Sequence, residues 1–367
     1  MEGRTEWPGI EYVEICTATE EHPRNDSASI VEFDDGELFM VWIQMHRSRL
    51  EGHDEAPSSI VSMRSPDGGR TWGQYRVEVT QQQGELSVYN PSLVVLPDGT
   101  LLFFYLTYHC LDYDKPLSSS GFTKRSHDNG RTWDIANPLW RNRSFGCAND
   151  TFTMLSDGRL VKSVEDVPYR GHKPGAPGHL SSCFTSDDNG ATWREPSDWV
   201  TLPLRGTMEN HIAETDSGEL VMSMRTQLGS VYISRSIDRG ESWSHPQVSG
   251  LAAPESMSSL TRIPATGHLL LIWNNAQYNH RHDHSGPRTP LTCSVSTDGA
   301  RTWHHLKVIE DDPAIEFTNI GCTYTREGVA IVTYLTSRMA DPAPPGRLGR
   351  HRMSLKGAIL PISRLYE

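Results

Sequence analysis

The sequence of 367 residues predicts an all-β fold, a single six-bladed β-propeller spanning the whole chain, and three observations carry that prediction. An octet of the form Ser-x-Asp-x-Gly-x-Thr-Trp stands at residues 65–72, 126–133 and 186–193, with altered copies at 236–243 (Ser242 for the threonine) and 296–303 (Ala300 for the glycine). Its aspartates, at 67, 128, 188, 238 and 298, are spaced by 61, 60, 50 and 60 residues, the interval that a repeated four-stranded sheet leaves in a sequence. Between the octets, pairs of apolar runs flank short Asp-Gly or Gly turns, which is a hairpin signal.

The octet is expected to be a turn. Asp and Asn accept hydrogen bonds from backbone amides just ahead of them, Gly supplies positive φ, and the closing Trp is an apolar plate that folds back under the hairpin. Each copy is therefore placed between the outer two strands of a blade, with its aspartate a structural ligand of the backbone.

The inner hairpins follow in order. The first pairs residues 29–33 with 38–43 across Asp34-Asp35-Gly36, and the second pairs 91–96 with 100–106 across Pro97-Asp98-Gly99. The third opens at 151–155 and turns at Ser156-Asp157-Gly158; the fourth joins 211–214 to 219–224 across Asp216-Ser217-Gly218. The fifth joins 258–263 to 269–273 across Thr266-Gly267, and the sixth joins 320–325 to 329–335 across Glu327-Gly328. The sixth unit has no octet. Residues 353–360 are expected as its third strand and 10–15 as its outer strand, so that both ends of the chain lock one sheet and remove its free edge. Residues 338–352, rich in Pro, Gly and Arg, read as a surface loop, and no segment reads as a helix.

A net charge of −12 argues against nucleic acid or an anionic membrane surface as partner. The N-terminus has no apolar core of signal-peptide length, no run reaches membrane-spanning length, and the six cysteines show no CxxC pairing. A cytoplasmic protein with free thiols is expected. No cofactor is called for, and the oligomeric state is left open.

In a propeller the inner strands surround an axis, and one end of that channel is the ligand site. The residues that open those strands are polar: Arg24-Asn25-Asp26, Tyr89-Asn90, Asn149-Asp150, Glu209-Asn210-His211, Glu255-Ser256 and Asn319.

The octet is the Asp box, and over essentially its whole length the chain resembles the sialidase (neuraminidase) superfamily. The resemblance implies a carboxylate-bearing sugar held by three arginines, an Asp acid/base, and a Tyr nucleophile activated by a Glu. Glu209, followed sixteen residues later by Arg225, matches the catalytic Glu and second arginine; Arg288, eight residues before the last octet, matches the third arginine. Asp54, in the loop before the strand at Ile60, matches the acid/base, and Arg47 or Arg49 an auxiliary arginine. Two positions depart from the pattern. Asp26 stands where the first arginine belongs, with Arg24 two residues earlier, and Asn319 stands where the tyrosine belongs.

The expectation is thus a sialidase-like glycoside hydrolase acting on a small acidic sugar or oligosaccharide. Asp54 and Glu209 are its acid and base, with water attacking directly, and Arg225 and Arg288 are the clamp. Arg24, Asp26, Arg47, Asn90, Asn149, Asp150, His211 and Asn319 are further pocket residues. Each also has a plain structural reading, as an ion-pair partner between blades or a polar strand start. Two other functions fit the same scaffold: a uronate-directed lyase using a His/Tyr pair such as His53, His109 or His211 with Tyr89 or Tyr278, and a carbohydrate-binding propeller without catalysis. The histidine-rich run at 280–284 lies on the substrate face, but with no distant fourth ligand to name, no metal is assigned to it.

Overall fold

The computed structural model describes residues 9–50, 53–110, 112–171, 173–281, 283–339 and 350–367. β1 (Glu11–Cys16) precedes an antiparallel run of β2 (Arg24–Glu32), β3 (Leu38–Met45), β4 (Ser58–Ser65) and β5 (Gly73–Thr80). A second sheet follows from β6 (Ser87–Val95), β7 (Leu101–Tyr108), β8 (Ser119–Ser126) and β9 (Asn137–Arg143). The third holds β10 (Phe145–Gly146), β11 (Phe152–Met154), β12 (Leu160–Asp166) and β13 (Leu180–Ser186). β14 (Met208–Glu214), β15 (Leu220–Arg225), β16 (Ser230–Ser236) and β17 (Gln247–Ala252) make the fourth, and β18 (Ser259–Arg262), β19 (Leu269–Asn274), β20 (Leu291–Ser296) and β21 (His304–Glu310) the fifth.

β22 (Ile315–Tyr324), β23 (Val329–Met339) and β24 (Arg350–Pro361) pair in order, and β1 joins β24 antiparallel. A single parallel pairing, Arg24 with Met353, fuses this group to β2, so one sheet has eight strands and the hydrogen bonding gives five sheets where the sequence suggests six separate ones. No sheet closes on itself. The innermost strands instead pack in a cyclic succession, β2 on β6, β6 on β11, β11 on β14, β14 on β18, β18 on β22 and β22 on β2. Among the described residues the only helical segments are short 3-10 turns at Asp283–Ser285 and Ile362–Tyr366. Most of the proposed surface loop at 338–352 lies outside the described residues.

Burial follows position in the sheet. β3 (LFMVWIQM) and β7 (LLFFYLTY) are buried at every residue, because each is covered on both faces by neighbouring sheets. β5 and β9, at the outside, are mostly exposed.

Four of the octets join successive strands, β4 to β5, β8 to β9, β16 to β17 and β20 to β21, while the third follows β13, after which isolated bridges (Thr185 with Arg194, Ser181 with Val200) stand in place of an outer strand. In the first, the Thr71 amide and hydroxyl donate to Asp67 at 2.9 and 2.6 Å, Ser65 Oγ donates to Asp67 at 2.8 Å, and the Gly69 amide donates to Ser65 Oγ at 2.9 Å. The same bonds recur around Asp128, Asp188, Asp238 and Asp298. Ala300 keeps the glycine's left-handed backbone at φ 62° and its amide still donates to Ser296 Oγ at 2.8 Å, which is why that altered copy retains the turn. The Trp side chains tie one sheet to the next: Trp133 lies 6.3 Å from Phe39 of β3 and 5.3 Å from Phe103 of β7, ring centre to ring centre.

Inner strands carry the feature that builds the site. The register of β2, β6, β14 and β22 slips between Asp26 and Ser29, Tyr89 and Ser92, Met208 and His211, and Thr318 and Gly321. Ser27, Asn90, Glu209 and Asn319 occupy these bulges with φ of 53°, 47°, 43° and 55°. A bulge re-aims side chains, and in each case it turns a polar residue toward the axis.

Candidate active site

One cavity of about 290 Å³ lies where these bulges converge. Five arginines reach it (Arg24, Arg170, Arg205, Arg225 and Arg288), with the carboxylates of Asp54, Glu165 and Glu209. Tyr89, Tyr108, Tyr113, His53, Asn90, Asn149 and Asn319 also face it.

Arg24 and Asp26 lie two apart on β2 and so share a face. Arg24 is 4% exposed; its Nε donates to Asp26 Oδ2 at 2.8 Å, its Nη1 to Asp54 Oδ1 at 2.9 Å and its Nη2 to Tyr89 Oη at 2.5 Å. Asn319 Nδ2 donates to both oxygens of Asp26, at 2.7 and 2.8 Å. Asp26 is fully buried behind Arg24 and Asn319 and is not on the cavity wall, which corrects its placement as a pocket residue. The two departures from the sialidase pattern are therefore one unit: Asp26 and Asn319 bond each other and brace Arg24, whose guanidinium enters the cavity from two residues further back.

Tyr89 donates to Asp54 Oδ1 at 2.9 Å. Burial works to raise the Asp54 carboxyl, but the Arg24 guanidinium and the Tyr89 hydroxyl override it and hold Asp54 below the usual carboxylate range. Burial pushes the Tyr89 hydroxyl well up, only partly opposed by Arg24, so it is a protonated donor at neutral pH.

On the opposite side Arg225 Nη1 donates to Glu209 Oε2 at 2.7 Å and Nη2 to Glu255 Oε1 at 3.3 Å. Burial opposes its charge, yet Glu209 and Glu255 keep it a firm cation. The Glu209 amide donates to Glu165 Oε2 at 3.2 Å. Arg288 Nη2 donates to the Glu255 carbonyl at 3.2 Å. Arg170 is ion-paired with the buried Glu55 and lies over the Tyr113 ring at 4.4 Å.

Asp54, Glu209, Arg24, Arg225, Arg288, Asn90, Asn149 and Asn319 are thus brought together. Asn90 and Asn149 are also struts: Asn90 Nδ2 donates to the Cys147 carbonyl, and Asn149 Nδ2 to that of Ala28 at 2.8 Å. Four expected residues lie elsewhere. Arg47 is exposed on its loop and paired with Glu20 at 2.7 Å, away from the cavity wall. Asp150 and His211 line a separate cavity further along the axis, with Tyr324. Asp150 accepts from Ser29 Oγ at 2.6 Å and the Cys322 amide at 2.9 Å, and burial raises its carboxyl to about 6. Asp26 is the fourth.

Of the histidines weighed for a lyase, His53 faces the cavity, while His109 bonds Thr107 and Ser120 on its own sheet. Tyr278 is exposed and off the wall. His282 lies outside the described residues, and His284 stands 3.4 Å from Arg225 Nη2. Among the described residues no three His, Cys, Asp or Glu side chains gather as a metal site.

Arg170, His179, Arg205, Tyr108 and Tyr113 escaped the sequence reading. Arg170 and His179 fall in the connection between β12 and β13, and no local motif marks either of them.

The model of the BNR repeat-like domain matches residues 36–326. A sialidase of Bacteroides fragilis is 25% identical over 321 residues, 76% of this chain and 56% of that protein. One of Micromonospora viridifaciens is 26% identical over 287 residues, 69% of this chain and 42% of that protein. The chain therefore spans about half the length of these relatives. Among solved structures, a Dyadobacter fermentans protein of unknown function superposes with a TM-score of 0.71 at 20% identity, covering 97% of this chain and all of that one. A sialidase from Streptococcus pneumoniae superposes at 0.74 with 11% identity, covering 96% of this chain and 70% of that one. At such identities the likeness shows the fold, the all-β architecture of the sialidase propellers. With the domain match covering most of the sequence, the chain belongs to the BNR repeat-like family of the sialidase superfamily.

Proposed function

We propose that this protein is a sialidase-like glycoside hydrolase acting on an acidic sugar or short oligosaccharide, built as one six-bladed propeller. The cyclic packing of the six inner strands supports the blade count. The observation that carries the function is the convergence of Arg24, Arg225 and Arg288 on one cavity together with Asp54 and Glu209. Three guanidiniums offer a bidentate, charge-assisted clamp for the sugar carboxylate. At rest Arg24 is bonded to Asp54 at 2.9 Å. A substrate carboxylate drawing on Arg24 weakens its hold on Asp54, whose carboxyl then rises toward the range where it can donate a proton to the leaving oxygen. Glu209 acts as base on the attacking water, since Asn319 cannot be a nucleophile.

The test is hydrolysis of an aryl sialoside by the wild type and by Asp54→Asn and Glu209→Gln. Turnover should fall by about 10²–10⁴-fold in each while binding of an unsaturated sialic acid analogue persists. A protein that binds the sugar and never cleaves it would instead be a carbohydrate-binding propeller.

The Tyr89 hydroxyl, fixed between Arg24 and Asp54 with His53 on the same wall, favours a second reading: proton abstraction beside a uronate carboxylate, which is lyase chemistry. A product with a C4–C5 double bond, seen by its near-ultraviolet absorbance, distinguishes it from hydrolysis.

A further inference from the structure

Glu255 sits 1% exposed at the end of the cavity nearest Arg225, in the segment that leads into β18. Its carboxylate collects donors from three places in the chain. Oε1 takes Arg205 Nη1, in a short ion pair, and Arg225 Nη2 at 3.3 Å; Oε2 takes Gln227 Nε2 at 2.8 Å. Its main chain is held as well: the amide donates to the His284 carbonyl at 2.8 Å, and the carbonyl accepts from Arg288 Nη2 at 3.2 Å. One residue thus touches Arg205, Arg225 and Arg288, and all three guanidiniums lie on the cavity wall.

We infer that Glu255 is the positioning residue of the anion clamp, and that Arg205, held beside Arg225 on the same carboxylate oxygen, is a further substrate-binding arginine of that clamp. This rests on the reading of the site as one for an acidic sugar. Two guanidiniums brought side by side repel each other, and a buried carboxylate between them removes that cost and fixes their planes. Arg205 lies in the segment between β13 and β14, which has little regular structure of its own; besides pairing with Glu255 its guanidinium donates to the Arg170 carbonyl, at 3.5 Å. Its Nε is a buried donor with no hydrogen-bond partner among the described residues, so the protein leaves this guanidinium incompletely satisfied.

The experiment is calorimetric titration of the full chain with an unsaturated sialic acid analogue and, in parallel, with its methyl ester. The variants are Glu255→Gln and Arg205→Met, each checked by thermal unfolding. Glutamine keeps the shape of Glu255 but loses its charge and turns an amide toward the arginines. The wild type should prefer the free acid to the ester. Both variants should lose about ten-fold or more in affinity for the acid, with ester binding nearly unchanged, because only the charge-assisted contact is removed. Arg205→Met leaves Glu255 paired with Arg225 and Gln227, so it answers the question even if Glu255→Gln misfolds. Folded variants that bind the acid as tightly as the wild type overturn the assignment and leave the acidic-sugar reading intact. A wild type that does not bind the acid, or does not distinguish it from the ester, overturns both.

Discussion

The Asp54 carboxylate shows how one side chain's environment sets what it can do. Held below its ordinary range by Arg24 and Tyr89, it contributes stability that is fully present above the unfolded carboxylate pKa and is lost as pH falls through its lower folded value. The octet aspartates obey the same sign. The Thr71 hydroxyl lowers Asp67 to about 2, and the Thr192 hydroxyl and amide lower Asp188 to about 2, against 3.8 for a free Asp. The part of the stability that these lowered carboxylates contribute should therefore be flat from neutrality down to about pH 4 and fall between about pH 4 and 2. Asp67→Asn should flatten part of that fall, and an unchanged acid limb would mean that the carboxylate is not bonded as described. Arg24→Lys tests the other cluster. Lysine lacks the fork that reaches Asp26, Asp54 and Tyr89 together, so affinity for an acidic sugar should drop by about ten-fold or more, read by the same titration.

At the level of single elements, the octet turn and the inner-strand bulge divide the labour: one holds each sheet to its neighbour, the other aims residues at the cavity. Asp128→Ala removes the acceptor for the Thr132 amide and hydroxyl and for Ser126, and should cost about 1–3 kcal/mol in chemical denaturation without altering sugar binding. Close packing makes a matching prediction in the second sheet. A Cβ on Gly121 would meet three Trp140 ring atoms at 2.7 Å, so Gly121→Ala should destabilise by about 1–3 kcal/mol, measured the same way. The hairpins and octets were legible in the sequence because turn chemistry is local: Asp-Gly and the Ser/Asp/Thr spacing specify their own hydrogen bonds. The bulges were not. Nothing near Asp26 announces that Asn319, 293 residues away, will bond it, or that Arg24 will reach the cavity that Asp26 was expected to line. Arg170 and Arg205 depend on where long connections fold, which no short motif encodes; Glu255 was visible as a polar strand opener, but its arginine partners were not.

Taken as a whole, the chain is fastened where its ends meet. β1 pairs along β24, Tyr12 Oη donates to the Ile309 carbonyl at 2.6 Å, and Arg70 grips Glu11 at 2.8 Å. Removing residues 1–16 would bare the edge of β24, and such a variant should unfold at lower temperature and self-associate, as light scattering would report. The Arg24–Met353 pairing ties this closure directly to an arginine of the cavity wall, so loosening the ends should also weaken ligand binding. Charge accounts for the remaining selectivity. The molecule carries −12 overall, while five arginines share one cavity with six carboxylates, Asp26, Asp54, Glu55, Glu165, Glu209 and Glu255, lying on its wall or behind it. If the cavity takes the proposed acidic sugar, directed hydrogen bonds and not long-range attraction would hold it, so affinity should depend only weakly on salt. The most direct test is a crystal structure of the protein soaked with an unsaturated sialic acid analogue, read for the position of the ligand's carboxylate. The account predicts that it lies within hydrogen-bond distance of Arg24, Arg225 and Arg288, with Asp54 and Glu209 flanking the ring. A carboxylate bound away from those arginines, or a ligand found only outside the cavity, would contradict it.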